Sequence, residues 1–145
     1  MAFPEPYPGL VIRYSYLWRR EHDEGHEEGS KDRPCAIVMA ITDEDGEWEV
    51  LVLPITHSPP ANPTDAIEIP TETKKRLGLD FDRSWIAITE ANEFLWPGPD
   101  LRPVPAGDAS TIAYGPLPPR FFAQVRDKFL ERDRREKSLR VKRTE

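Results

Sequence analysis

The sequence contains a single cysteine, Cys35, in 145 residues. A lone thiol excludes an internal disulfide and cannot by itself build a cysteine zinc site. It sits in the apolar run CAIVMAIT (residues 35–42), so a small buried side chain is its expected role. No apolar stretch approaches the ~20 residues that span a bilayer. The opening MAFPEPYPG has no basic region followed by an apolar segment, so no secretory leader and no membrane partner are expected, and the expected location is cytoplasmic. Positive charge is not in excess either. Twenty Lys and Arg against 26 Asp and Glu give a net charge of −6, which counts against non-specific nucleic-acid binding by a generally basic surface. The motifs G-x-x-x-x-G-K-[ST], G-x-S-x-G, H-E-x-x-H and C-x-x-C are all missing. Any catalysis must use a sparse polar set, and no cofactor is expected.

Proline is abundant instead. Sixteen residues, against a usual share of about 5%, disfavour long helices over most of the chain and favour short strands joined by turns. Residues 9–18 (GLVIRYSYLW) are rich in β-branched and aromatic side chains and read as a first strand. Residues 35–42 are almost wholly apolar, as in a strand covered on both faces. Asp43-Glu44-Asp45-Gly46 is a hairpin signal, and residues 48–56 (WEVLVLPIT) complete an antiparallel pair. Three prolines make residues 57–64 a loop. A short strand at 66–69 precedes a brief helix that Thr71 can cap and Gly78 can end. Residues 84–89, 93–96, 101–104 and 110–115 are further strand candidates. Phe122, Val125 and Phe129 then fall at helical spacing, which predicts a C-terminal amphipathic helix over 118–138. Six or so short strands and a terminal helix make one mainly β (α+β) domain over residues 1–145, a small, strongly bent β-barrel with a helix packed on it.

Charge is unevenly spread. Acidic residues crowd 21–28 and 43–49, whereas residues 132–143 hold seven basic side chains against two acidic ones, leaving room for a local basic surface. Residues 19–33 read as a long acidic loop. His22 and His26 lie four apart within it, a spacing that joins two imidazoles only on a helix. Gly25 and Gly29 make a poor helix, so a solvated loop without metal is expected. Arg33 is different. The following Pro34 biases it towards extended backbone where the loop enters a buried strand, and its guanidinium offers a planar fork of donors that suits a phosphate, although an arginine before a proline, taken alone, reads first as a surface ion pair. Thr56-His57-Ser58 closes the apolar strand before the proline-rich loop; taken alone the hydroxyls read first as turn caps and second as chemistry, and His57 is suited to acid–base work. Trp85 and Trp96 could stack bases, but tryptophan in a small barrel is more often core.

Taken in order, these pieces are more specific than any one of them. Pro8-Gly9-Leu10-Val11-Ile12 opens a strand, a polar loop leads to Lys31-Asp32-Arg33-Pro34-Cys35-Ala36-Ile37-Val38, and a later strand ends in Leu53-Pro54-Ile55-Thr56-His57-Ser58. Over roughly residues 8–89 this resembles the MazF/PemK family, the toxins of bacterial toxin–antitoxin systems. The resemblance implies an SH3-like barrel, usually a homodimer, that cleaves single-stranded RNA without metal by attack of a 2′-hydroxyl on the adjacent phosphate. It places the catalytic pair on Arg33 and Thr56, with Lys31, His57 and Ser58 as substrate-binding neighbours. It also implies a partner antitoxin whose acidic disordered tail covers the RNA groove. The chain departs from the family pattern at Gly9-Leu10-Val11, where many relatives carry an acidic residue after the glycine. The alternative reading is a catalytically silent barrel that binds a protein or peptide.

Overall fold

The computed structural model describes residues 3–26, 29, 31–105, 111–137 and 139–143. Its elements, in chain order, are β1 (Leu10–Tyr14), α1 (Arg19–Asp23), β2 (Arg33–Thr42), β3 (Trp48–Thr56), β4 (Ala66–Glu68), α2 (Thr71–Leu77), β5 (Trp85–Ala87), β6 (Glu90–Leu95), β7 (Ala113–Pro116), α3 (Pro119–Arg135) and β8 (Leu139–Lys142). The chain is therefore mainly antiparallel β-sheet with few helices, in line with the pattern of short apolar runs.

The long β2–β3 hairpin is the backbone of the fold. Its turn closes because the Asp43 carboxylate accepts from the Asp45 and Glu47 amides, both at 2.9 Å, and because Gly46 takes the left-handed φ of 82° that other residues resist. On one side, β2 pairs with β1, which pairs in turn with β7. On the other side, β3 changes partner along its length. Residues 49–52 pair with β6, and Ile55 and Thr56 pair with β5. Pro54 lies just before the second pairing and has no N–H to donate, so the ladder breaks there and the two short strands diverge.

Alternation along β1, β2 and β3 builds two apolar layers. Val11, Ala36, Leu53 and Ile55 face one layer, which α3 closes with Val125 and Phe129. Ile12, Tyr14, Cys35, Ile37, Val50 and Val52 face the other, with Phe94 from β6. Residues 35–38 of β2 are buried on both faces, which explains the apolar run there, whereas the far end of the strand is not covered and Ile41 is 58% exposed. Cys35 is fully buried, and burial pushes its thiol well above its ordinary range, so it is an inert core residue.

The structure departs from the sequence pattern in several places. The first strand stops at Tyr14, and residues 19–23, within the span expected to be loop, form the short helix α1; the later loop positions 27, 28 and 30 lie outside the described residues. Residues 101–104 contribute a single bridge, Leu101 to Tyr14. Pro70, not Thr71, occupies the cap position of α2, without a side-chain hydrogen bond. The terminal helix ends at Arg135, and the basic run beyond it becomes β8, parallel to β6.

What holds β8 is Arg143, only 7% exposed. Its guanidinium donates to the Ser15 carbonyl at 2.8 Å and to Asn92 Oδ1 at 3.1 Å, and it pairs with Asp100 at 3.0 Å. Charge followed by charge looks like a solvated tail, yet this last arginine ties the chain end to β1 and β6. Replacing it takes away the nearer of two arginines beside the buried Asp100, Arg102 standing at 3.9 Å, and removes the donor to the Ser15 carbonyl and Asn92 Oδ1. Arg143→Ala is expected to cost about 3–5 kcal/mol, seen as a lower urea midpoint at unchanged slope. A change within about 0.5 kcal/mol, as for a surface site, would contradict this role.

Candidate functional site

The register of the hairpin brings the two principal candidates together. Cys35 pairs with Pro54 across β2 and β3, and two residues further along each strand stand Arg33 and Thr56. Alternation puts both side chains on one face, at the ends of their strands. Arg33 Nη1 donates to the Ile55 carbonyl at 3.4 Å, and its guanidinium lies 5.0 Å from the centre of the Trp18 ring. Its Nε is buried and has no acceptor among the described residues. Burial pushes the guanidinium below its ordinary value, although an arginine remains charged throughout the physiological range.

Among the described residues Arg33 makes no direct ion pair, nor do Arg13, Arg20 or Lys31 nearby; the buried Glu21 carboxylate acts on Arg33 electrostatically and partly offsets the effect of burial. Arg132 and Arg140 also have a buried Nε without acceptor, but their terminal nitrogens pair with Asp65 and Asp133 at 3.1 and 3.0 Å. A half-buried cation with no carboxylate in direct contact can receive an anion.

These cations line a groove that runs over the ends of β2 and β3. One compartment, of about 350 Å³, is bordered by Arg13, Lys31, Arg33, Thr56, His57 and Tyr114, and also by the carboxylates of Asp32 and Asp80. A second, of about 440 Å³, is bordered by Trp18, Arg20, Lys31, Arg33, Thr56 and Ser58, and also by Asp65. Lys31, Arg33 and Thr56 belong to both and form a saddle between them. All five candidate residues from the sequence, Lys31, Arg33, Thr56, His57 and Ser58, therefore meet in one groove. Thr56 Oγ1 accepts from the Ser58 amide at 3.2 Å, so its hydroxyl proton remains free for another acceptor.

His57 has a built environment. Its Nε2 lies 2.8 Å from Asp80 Oδ2, and its Nδ1 lies 3.0 Å from the Arg83 carbonyl oxygen. The other Asp80 oxygen accepts from Lys74 Nζ at 2.9 Å, and the same ammonium donates to Ser84 Oγ. The cluster latches the end of β3 to the loop after α2 and forms one wall of the groove. His57, Asp80 and Asp82 present three potential metal ligands, but the Lys74 ammonium already neutralises Asp80. His22 and His26 are exposed and approach the neighbouring carboxylates of Asp23 and Glu24 at 3.6 Å; they do not join each other in any metal-ligating group among the described residues.

Trp85 and Trp96 take the core role that is usual for tryptophan in a small barrel. Trp85 is buried beneath Arg83. Trp96 donates to the Pro4 carbonyl at 3.0 Å and stacks near Phe94. Neither lines the groove, whereas Trp18 does. Sequence reading also missed Arg13, Tyr114 and Asp80. A signal for Arg13 was present, since it is the only charged residue in GLVIRYSYLW. Compared with models of protein families, with curated proteins and with solved structures, the chain has no match.

The latch has a defined pH response. Burial pushes the Asp80 carboxyl up, but Lys74 and His57 outweigh it and hold the group below its ordinary 3.8. A carboxylate with a depressed folded value adds stability that is complete above the ordinary value and is lost as pH falls through the folded one. The Asp80 contribution, read as the stability difference between wild type and Asp80→Asn, is expected to shrink as pH falls below the ordinary carboxylate value of about 3.9, as measured by urea unfolding at stepped pH. A difference that grows on acidification would contradict it.

Proposed function

We propose that this chain is a MazF/PemK-type endoribonuclease, the toxin of a toxin–antitoxin pair, with an SH3-like barrel fold. The observation that carries the reading is the Arg33–Thr56 saddle, where an arginine with no direct carboxylate contact among the described residues stands across the strand pair from a hydroxyl that accepts from the Ser58 amide and keeps its proton to donate. In the proposed reaction a single-stranded RNA phosphate sits on that saddle. The O2′–P bond forms, the P–O5′ bond breaks, and the net proton transfer is from the 2′-hydroxyl to the 5′-oxygen. The products are a 2′,3′-cyclic phosphate and a 5′-hydroxyl. Arg33 stabilises the charge gathering on the phosphorane oxygens, and Thr56 orients the phosphate by donating its hydroxyl proton. Lys31, His57 and Ser58 line the path of the strand, and the reaction needs no cofactor.

The groove charge also suits the proposed partner, an antitoxin with an acidic disordered tail that competes for the same cations. The acidic segment before Arg33 is a weaker objection to RNA than its composition suggests. Glu21 is turned inward and accepts from the Trp18 amide, and Asp23 is paired with Arg19. A homodimer, as the family resemblance implies, is part of the proposal. The competing reading, a silent barrel that takes an acidic peptide, draws on the same unpaired cations and predicts binding without cleavage.

The test is to incubate a long RNA with purified protein in EDTA and map the ends. Wild type is expected to yield cyclic-phosphate and 5′-hydroxyl ends, with the rate reduced by about 10²–10³ in Arg33→Ala, a loss typical for removal of one oxyanion-stabilising donor. Arg33→Lys, which keeps charge but not the fork, should fall between the two. Intact RNA after treatment with stoichiometric wild type would contradict the proposal.

A further inference from the structure

We infer that Arg13 and Tyr114 form a second phosphate subsite, so that the ligand of the groove is an RNA strand presenting at least two consecutive phosphates across the saddle; this rests on the RNA-cleavage reading. Arg13 pairs with Pro34 across β1 and β2, whereas Arg33 pairs with Tyr14. Adjacent positions point to opposite faces of a strand, so the two arginines leave the sheet on opposite sides. They nevertheless border the same compartment, because the groove wraps over the strand ends. A chain lying on Arg33 and Thr56 and continuing into that compartment brings its next phosphate towards Arg13.

The chemistry of the pair suits that role. Arg13 is half-buried, and its Nη1 donates to the Tyr114 hydroxyl at 3.2 Å. That bond occupies an oxygen lone pair of the tyrosine and leaves its own O–H proton to donate elsewhere. Among the described residues the other guanidinium N–H groups have no acceptor and no carboxylate pairs with Arg13. The Asp32 and Asp80 carboxylates that border the same compartment are engaged by Arg102 and by Lys74 and His57, so a cationic fork and a phenolic donor converge without an anion of their own. Arg13 stands alone in an otherwise uncharged strand, where a purely structural position would be filled by an apolar or neutral residue. A contact that merely pinned β1 to β7 would duplicate the main-chain pairing already present.

The test uses a fluorescent single-stranded 2′-O-methyl RNA of mixed sequence, whose blocked nucleophile prevents cleavage, and reads anisotropy over a salt series. Each phosphate neutralised on a single strand contributes a slope of about 0.7 in log affinity against log salt. Arg13→Gln is expected to bind several-fold more weakly with a slope shallower by about 0.7, while Arg13→Lys keeps the slope and loses part of the affinity. Tyr114→Phe should weaken binding with the slope unchanged, and this variant and Arg13→Lys carry the test if Arg13→Gln fails to fold. If Arg13→Gln retains full affinity and slope while Arg33→Ala loses both, or if Tyr114→Phe lowers the melting temperature without touching affinity, the subsite is overturned and the saddle stands. If wild type does not bind the RNA, both the subsite and the proposed function fall.

Discussion

Holding a guanidinium partly out of water without a carboxylate in direct contact costs free energy, and Arg33 is held in that state by the frame around it, with the Glu21 charge as a partial offset. The Ile55 carbonyl takes one of its donors and the Trp18 ring covers its face, leaving Nε unsatisfied. Everything that defines the groove serves this arrangement. The Asp43 turn sets the β2–β3 register, the register carries Thr56 to the end of β3 beside Arg33, and Pro54 breaks the ladder so that β5 and β6 diverge at that end. The saddle between the two compartments follows from those constraints.

The net charge of −6 misleads about this region. Much of the acid is used internally or against neighbours: Asp80 on Lys74, Asp65 on Arg132, Asp133 on Arg140, Asp100 on Arg143. Among the described residues, the groove side chains that make no direct ion pair are the cations Arg13, Arg20, Lys31 and Arg33. Local compensation, not the total, decides what a surface attracts, because charges separated by more than a Debye length of about 8 Å are largely screened.

Arg33 and Thr56 were legible because a β-hairpin converts sequence order into adjacency, and the order of motifs was enough to pair them. The core strands were legible for the related reason that burial on both faces leaves a continuous apolar run. Two kinds of feature were not. β8 pairs with β6, about fifty residues earlier in the chain, and its alternation is obscured by arginines and lysines that resemble a tail; only tertiary structure shows that Arg143 is buried. Trp18 and Trp96 are chemically alike in the sequence, and nothing local states that one borders the groove while the other stacks near Phe94. Arg13 announced itself as the odd charge in its strand, but its face could be assigned only once Pro34 was known to lie opposite.

The central claim is that the unsatisfied Arg33 guanidinium is the seat of the phosphate. It is tested most directly by following the ¹⁵N–¹H correlation of Arg33 Nε while an uncleavable single-stranded 2′-O-methyl RNA is added to the full chain. The account predicts a resonance that exchanges readily with solvent in the free protein, then shifts and becomes protected as the RNA binds, with the half-point matching the binding curve. Saturable RNA binding that leaves the Arg33 Nε–H signal unmoved would contradict it.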